Sequence, residues 1–212
     1  MQAESLTVKG PFDTLKKLCL VTIKYVMSKG GKILLPFGFY DEHVVFRDIV
    51  SKLELKMSLR TDVLKKTYNL IPHEEGGSFS EVYTSAEEKK GRSLAGSIYF
   101  LLDSGEVSQF HEIDCDEIWF FHEGCGMKIC ILAPNGDVSH IYLGNDVEKG
   151  QRAMAIIPKG AIFSAVNLDD GGYTFVSCVT VPKFSYDGFR LVPADEIRQR
   201  MGMRTDEIVI SI

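Results

Sequence analysis

The stretch GEVSQFHEIDCDEIWFFHEG, residues 105–124, carries the pattern that decides the fold. Apolar and polar residues alternate on both sides of a short acidic turn, which predicts two consecutive β-strands. Because side chains two positions apart share a face of a strand, His111 shares a face with Ile113, and Glu117 shares one with Trp119. The pattern therefore predicts an imidazole and a carboxylate on two consecutive strands.

The chain from residue 72 onward consists of short apolar segments separated by turn signals. Asn135-Gly136 is typical of a two-residue hairpin, and Asp169–Gly172 is a second turn signal. Nine strands are predicted, over residues 79–84, 94–102, 108–113, 117–122, 127–132, 138–143, 153–157, 162–166 and 174–179. Strands at this spacing with no helix between them predict an all-β antiparallel sandwich or barrel.

Helical spacing marks the two ends of the chain. Helices are predicted over Leu15–Val26, Phe46–Leu53, Thr61–Asn69 and Ala194–Met201. The predicted organisation is a helical N-terminal extension over residues 1–57, an all-β domain over 58–200 and a C-terminal tail over 201–212.

Composition excludes several classes of partner. A net charge of −5 argues against nucleic acid or an anionic membrane, since both require a basic surface. The five cysteines are odd in number and scattered, which indicates reduced thiols and a cytoplasmic location. The apolar stretch Leu18–Met27 is too short to cross a bilayer, which takes roughly 20 residues.

The spacing of the residues quoted first resembles a known family. Gly105, His111, Glu117 and Gly124 match the first motif of the cupin superfamily, with Ile113 in place of its second histidine. The second motif is also recognisable: Pro158, Gly160 and Asn167 match it, while Phe163 replaces its histidine and Arg152 its leading glycine.

Several phrases narrow the resemblance to the cupin family catalogued as domain of unknown function 985. They are Pro72–Gly77, Arg92-Ser93, Ile98–Leu102, Asp116–Trp119, Leu143-Gly144 and Val181-Pro182, in the family's order and spacing. The likeness covers about residues 60–195. It implies a jelly-roll barrel, and a distant similarity to deoxysugar epimerases suggests a sugar or nucleotide-sugar as substrate class.

The resemblance also implies the position of a metal site. Metal-binding cupins hold a divalent ion with three histidines and one glutamate, and here Ile113 and Phe163 remove two of the four ligands. A catalytic site normally keeps three protein ligands. We therefore expect no bound cofactor or metal, and a metal-dependent alternative would rely on His111 and Glu117.

Without a metal, His111 and Glu117 are the predicted catalytic pair, because imidazole and a desolvated carboxyl exchange protons near neutral pH. The alternative is that they form a buried structural pair. Predicted ligand-binding residues are Tyr99, Gln109, Trp119 and Phe163 in the cavity, Glu81 at its mouth, and Arg92 for an anionic group. For Glu81 the alternative is a solvated strand residue, and for Arg92 a surface ion pair. His73 and His140 read as ordinary loop or surface histidines.

Three functions remain open. The first is a metal-independent sugar or nucleotide-sugar isomerase or epimerase, the second a non-catalytic ligand-binding cupin, and the third a metal-dependent cupin oxygenase. A small molecule is the expected partner. We also expect a homodimer, because exposed sheet edges are usually paired or covered and two-fold dimers are the commonest oligomers. Residues 79–84 are the predicted interface.

Overall fold

The computed structural model describes residues 32–35, 38–41, 51–52, 56 and 60–201. The chain divides into two compact units, residues 1–55 and 56–212. The extension predicted over residues 1–57 and the tail predicted over 201–212 fall mostly outside the described residues, so these domain limits stay predictions.

The first unit contains a β-hairpin within the extension that was predicted to be helical. β1 (Lys32–Leu35) and β2 (Gly38–Asp41) pair antiparallel. Their β-branched and aromatic residues favour strands, so the extension is not wholly helical. The helix predicted over Leu15–Val26 lies outside the described residues. Of the helix predicted over Phe46–Leu53, residues 51–52 are described, and they are helical.

The second unit is a sandwich of two antiparallel sheets. The larger sheet has the strand order β12 (Met154–Ile157), β9 (Asp116–Gly124), β14 (Thr174–Val181), β7 (Gly96–Leu102), β4 (Ser78–Thr84) and β3 (Ile71–Pro72). The smaller has the order β11 (Val138–Leu143), β10 (Met127–Leu132), β13 (Ile162–Asn167), β8 (Val107–Ile113) and β15 (Phe189–Leu191). A short pair, β5 (Glu88–Lys89) and β6 (Arg92–Ser93), lies between β4 and β7 along the chain.

All nine predicted strands are confirmed, and their ends agree with the structure to within two residues. The C-terminal helix over Ala194–Met201 is confirmed with its predicted ends, and residues 60–68 are helical before Asn69. None of the described helices is long and apolar enough to span a membrane. The cytoplasmic location stays a prediction.

The core lies between the two sheets. Phe100, Trp119 and Val176 of the larger sheet pack with Ile129 and Phe163 of the smaller one, and each is at most 2% exposed. Burying side chains of this size stabilises the fold by about 1.5–3 kcal/mol each. Polar groups that open into this apolar layer are therefore held in a desolvated environment.

Each sheet is also covered on its outer face. Ile197 of the C-terminal helix packs with Phe110 behind the smaller sheet. Leu64 of the helical residues 60–68 packs with Leu101 behind the larger sheet. The central strands are therefore apolar on both faces, which hides the alternation that usually tells inside from outside.

One edge of the larger sheet is only partly paired. β3 pairs with the first residues of β4, and Val82 and Tyr83 further along β4 are 49% and 54% exposed. The homodimer that was expected to form through residues 79–84 stays a prediction.

Candidate functional site

A cavity of about 220 Å³ opens between the two sheets. Strands β4, β7, β9 and β14 of the larger sheet and β8 of the smaller one form most of its wall. The loop before β4 and the segment Lys183–Tyr186 after β14 complete it. Both the loops and the strands therefore supply polar side chains to the wall of a cavity that is otherwise mostly apolar.

His111 and Glu117 both line this cavity, as the resemblance to the cupin motif implies. His111 comes from β8 in the smaller sheet and Glu117 from β9 in the larger one. They are 2% and 8% exposed, respectively. A ligand in the cavity would therefore meet the imidazole from one sheet and the carboxylate from the other.

A third titratable group, Glu75, binds His111 directly. Glu75 Oε2 lies 3.1 Å from His111 Nε2, and Ser108 Oγ donates to Glu75 Oε1 over 3.0 Å. The backbone of the same loop is also hydrogen-bonded to β8, since the Gln109 N–H donates to the Glu75 carbonyl over 2.8 Å. The loop before β4 thus presents a carboxyl group to the strand that carries the imidazole.

The hydrogen bonds of His111 define where its protons lie. Nδ1 lies 2.6 Å from the Gln109 carbonyl oxygen, which can only accept, so Nδ1 carries a proton and donates it. In the neutral ring Nε2 is then an acceptor. The contact between Nε2 and Glu75 Oε2 therefore holds one proton, which either the carboxyl or the imidazole can carry.

Burial raises the pKa values of the Glu75 and Glu117 carboxyl groups into the neutral range. Desolvation raises the pKa of Glu75 from 4.5 to about 7. Desolvation, followed by the negative charge of Glu75, raises the pKa of Glu117 to about 7 as well. Desolvation lowers the pKa of His111, so this ring favours its neutral form. Groups that titrate near neutrality can both give and take a proton under ordinary conditions.

His73 lies on the other side of Glu75. Its Nδ1 accepts the Glu75 backbone N–H over 3.3 Å and lies 3.5 Å from Glu75 Oε2. Desolvation lowers the pKa of His73. The prediction of an ordinary loop histidine is wrong here, because the ring is packed into the cavity wall beside a buried carboxyl group.

Aromatic rings form much of the remaining wall. In the described part of the chain, the phenylalanine, tyrosine and tryptophan residues that line the cavity are Phe79, Phe100, Trp119, Phe184 and Tyr186. Trp119 is 1% exposed and its Nε1 has no hydrogen-bond partner among the described residues. The indole lies close enough to Glu117 to favour the charged carboxylate, although the two do not adopt hydrogen-bond geometry. The indole N–H of Trp119 is thus a buried donor that a ligand can use.

An ion pair stands at the rim of the cavity. Lys183 Nζ lies 2.7 Å from Glu81 Oε2 and donates to Thr84 Oγ over 2.7 Å. The Glu81 side chain is 53% exposed. The structure places Glu81 at the mouth, where it was predicted, but its charge is balanced by Lys183.

Comparison with known proteins identifies the fold family. The family described as cupin superfamily, domain of unknown function 985, matches residues 63–192. The chain belongs to this cupin family. A crystal structure of a protein from Shewanella oneidensis is 35% identical with a TM-score of 0.65, and the match covers 70% of this chain and 93% of that one. A hypothetical protein from Leishmania major is 28% identical with a TM-score of 0.59, covering 65% and 90% of the two chains. No curated protein matches the chain.

The resemblance stated from the motifs is thereby confirmed. The two-sheet sandwich is a cupin jelly roll, which confirms the all-β fold class. Within this cupin, Trp119, His111 and Glu117 all line the cavity. The family match assigns neither an activity nor a ligand to it.

Tyr99 does not point into the cupin cavity, and the prediction that it does is wrong. Its neighbours Ile98 and Phe100 line the cavity, so strand alternation turns Tyr99 to the outer face of β7. There its ring packs 4.6 Å from Tyr68 and 5.3 Å from Phe175, measured between ring centroids.

Gln109 is also outside the cavity, because β8 contains a bulge. Phe163 pairs with His111, but Ala165 pairs with Ser108, so β8 has one more residue than β13 over this interval. A bulge of this kind reverses the alternation beyond it. Ser108 therefore faces inward to Glu75, while Gln109 is exposed.

Two further predicted ligand-binding residues, Phe163 and Arg92, also need correction. Phe163 is fully buried in the core, with its ring centroid 4.0 Å from that of His111, and supports the imidazole without lining the cavity. Arg92 donates to both carboxylate oxygens of Asp114 over 2.7 and 2.8 Å and to the Lys183 carbonyl over 2.5 Å. Arg92 thus forms the surface ion pair that was its alternative.

The donor atoms of this cupin do not fit a catalytic metal. Ile113 lines the cavity and Phe163 packs in the core at the two positions where histidines are missing. His111 Nε2, the atom that would bind an ion, faces Glu75 Oε2 instead. No group of three or more His, Cys, Asp or Glu residues in the described part of the chain has a geometry that could hold a metal.

The metal content of purified protein tests this conclusion. We expect less than one metal ion per chain after purification without added metal, and no thermal shift with Fe, Mn or Zn, because two of the four ligands are absent. Elemental analysis and thermal melting measure this. An ion bound tightly at one per chain and lost in His111→Ala would contradict it.

Proposed function

We propose that this cupin is an isomerase or epimerase of a small sugar that moves a proton without a bound metal. The observation that carries the proposal is the placement of two proton-carrying units in one cavity. The Glu75–His111 pair comes from one side and Glu117 from the facing sheet. Epimerisation next to a carbonyl requires such an arrangement, since one group removes a proton and another returns it.

The titration behaviour of these groups supports proton transfer. With a pKa of about 7, Glu117 can act as a base that takes the proton from carbon near neutral pH. The proton held between Glu75 and His111 can be delivered to the substrate oxygen or carbon. Desolvation raises the pKa of the Cys178 thiol on the same wall well above its usual value, so that thiol stays protonated and is a poor nucleophile.

The size and lining of the cavity support a single sugar ring as the substrate. Its volume of about 220 Å³ is below the range of about 300–1,000 Å³ that is typical of larger organic ligands. Aromatic faces such as Trp119 suit the apolar face of a sugar ring. Within the predicted class of sugars or nucleotide-sugars, the cavity favours a sugar without an attached nucleotide.

A non-catalytic binding cupin is the second candidate, and one observation favours it. Both nitrogens of His111 and both carboxylate oxygens of Glu75 are engaged by protein groups, as in a closed structural network. The metal-dependent oxygenase is disfavoured by the donor set described above.

Deuterium exchange distinguishes the two candidates. We expect this cupin, in D₂O, to exchange the hydrogen on the carbon next to the carbonyl of at least one member of a panel of free aldoses, ketoses and amino sugars, as measured by NMR. Glu117→Gln and His111→Gln should each slow the exchange tenfold or more, about 1.4 kcal/mol in the barrier, because each removes a proton carrier.

Matched variants outside the cavity serve as controls. His122→Gln changes an exposed histidine whose ring packs near Tyr99 and Phe175 on the outer face, and Glu88→Gln changes an exposed carboxylate on β5. Both should exchange at the wild-type rate. No exchange across the panel, or exchange that persists in Glu117→Gln and His111→Gln, would contradict catalysis at this site.

A further inference from the structure

We propose that the cavity binds a small organic cation, a molecule with an ammonium group and a neighbouring oxygen that accepts a hydrogen bond. The inference rests on the proposed function only in placing the ligand in this cavity. Within that function, the substrate is an amino sugar and not a neutral or phosphorylated one.

The first step is the charge of the interior. Glu75 and Glu117 line the cavity at 7% and 8% exposure, and Lys183 is the one lysine or arginine among the described residues that line it. Lys183 is engaged by Glu81 at the rim. His73 and His111 favour their neutral forms because burial lowers the pKa of each. The interior carboxylates therefore have no counter-cation among the described residues.

The two carboxyl groups lie buried in one cavity, and no lysine or arginine of the described residues faces them there. A buried charge is costly unless it is paired. A ligand cation supplies that pairing, whereas a phosphate or carboxylate ligand would add to the negative charge.

The aromatic wall suits the same cation. Phe79, Phe100, Trp119, Phe184 and Tyr186 line the cavity together with the carboxylates. Cations are attracted to the faces of aromatic rings, by about 0.5–2 kcal/mol for each pair. The aromatic rings and the carboxylates that line the cavity therefore both favour binding of a cation.

The buried indole N–H of Trp119 indicates the second group of the ligand, an oxygen that accepts a hydrogen bond. Trp119 lines the cavity, and its buried Nε1 lies near the Glu117 carboxyl group without meeting the geometry of a hydrogen bond. Buried donors are almost always satisfied in native proteins. A hydroxyl or carbonyl oxygen of the ligand can accept this bond while the ammonium group meets the carboxylates, and an amino sugar carries both groups.

Equilibrium binding of matched cations and neutral compounds tests the inference. Trp119 is the only tryptophan in the chain, so its fluorescence reports directly on the cavity. The probes are glucosamine against glucose, and choline against its uncharged analogue 3,3-dimethyl-1-butanol, at fixed ionic strength and pH 7. At least one cation should bind tenfold or more tightly than its neutral counterpart, which corresponds to about 1.4 kcal/mol.

Two variants assign the preference to the carboxylates. Glu117→Gln and Glu75→Gln should each reduce the ratio of cation to neutral affinity at least threefold, while Glu88→Gln on β5 should leave it unchanged. Circular dichroism melting verifies that each variant is folded. If only one of the two carboxylate variants folds, that variant alone is enough for the test. If no cation is preferred tenfold, or if the preference survives in the folded carboxylate variants, the inference is wrong.

This experiment is separate from the test of catalysis. A cation preference without any deuterium exchange would support the inference and contradict the proposed isomerase. Exchange on neutral sugars without a cation preference would support the isomerase and contradict the inference.

Discussion

Replacing Gly76 with alanine is expected to destabilise the fold by roughly 3 kcal/mol or more. Gly76 has φ +107°, and an added Cβ would lie 2.1 Å from the Val107 carbonyl oxygen on β8. The backbone conformation is strained for any residue with a side chain, and the clash is with backbone that cannot rotate away. Chemical denaturation of the purified variant measures the loss.

The same change should also disturb the site. Gly76 follows Glu75, whose carbonyl accepts the Gln109 N–H over 2.8 Å, so the loop can only move away from β8 by separating Glu75 from His111. Ligand binding in the cavity should therefore weaken together with stability.

Gly105→Ala is the matched control for Gly76→Ala. Gly105 has φ +74°, yet an added Cβ would have nothing within 4 Å. Its alanine variant should lose only the backbone component, about 1 kcal/mol. Equal losses in the two variants would mean that the close approach of the loop to β8 is not what requires glycine at position 76.

The jelly roll and the facing pair could be predicted from the sequence because both depend on local signals. Each strand is a short apolar segment bounded by turn residues, and such boundaries can be read along the chain. His111 and Glu117 lie on either side of one short turn, and the cupin motif assigned the faces that carry them to the same interior.

Glu75 was missed because its role depends on a contact distant in the sequence. It bonds to Ser108, 33 residues away, and to His111 on the same strand. Nothing in residues 73–77 reveals which strand the loop will meet. The paired glycines after Glu75 were the available signal, since a loop with two such residues can approach a neighbouring strand closely.

Tyr99 and Gln109 were misplaced for two different reasons. The segment around Tyr99 is apolar on both faces, because one face lines the cavity and the other packs against Tyr68, so alternation carries no information there. At Gln109 the alternation is broken by the bulge opposite β13, and a single extra residue is invisible in an unaligned sequence.

Exchanging Glu75 for glutamine is expected to leave stability unchanged near pH 4 and to raise it by about 3 kcal/mol at pH 8. The folded protein holds the Glu75 proton up to a pKa of about 7, whereas the unfolded chain releases it near 4.5. The stability that Glu75 contributes is therefore present below pH 4.5 and is lost as the pH rises to 7. Glutamine keeps the shape of the protonated carboxyl group and does not titrate, so the variant escapes this loss.

The difference in the free energy of unfolding between the wild type and Glu75→Gln separates the effect of Glu75 from that of the other buried groups. The histidines with lowered pKa values, His73 and His111, destabilise the fold as the pH falls below 6.5, and they do so in both proteins. Denaturant unfolding at several pH values between 4 and 8 gives the two curves, with Glu88→Gln on the exposed strand β5 as the control. The Glu117 pKa should fall in the Glu75→Gln variant, because the charge of Glu75 contributes to raising it.

The sign of this difference separates two states of the Glu75–His111 contact at high pH. If the proton leaves the pair, a carboxylate is left facing an unprotonated Nε2 in an apolar wall, and glutamine is the more stable residue. If the proton instead stays on the imidazole, the contact becomes an ion pair and glutamine destroys it. A Glu75→Gln variant that is less stable than wild type at pH 8 would therefore contradict the raised carboxyl pKa and identify His111 as the proton carrier.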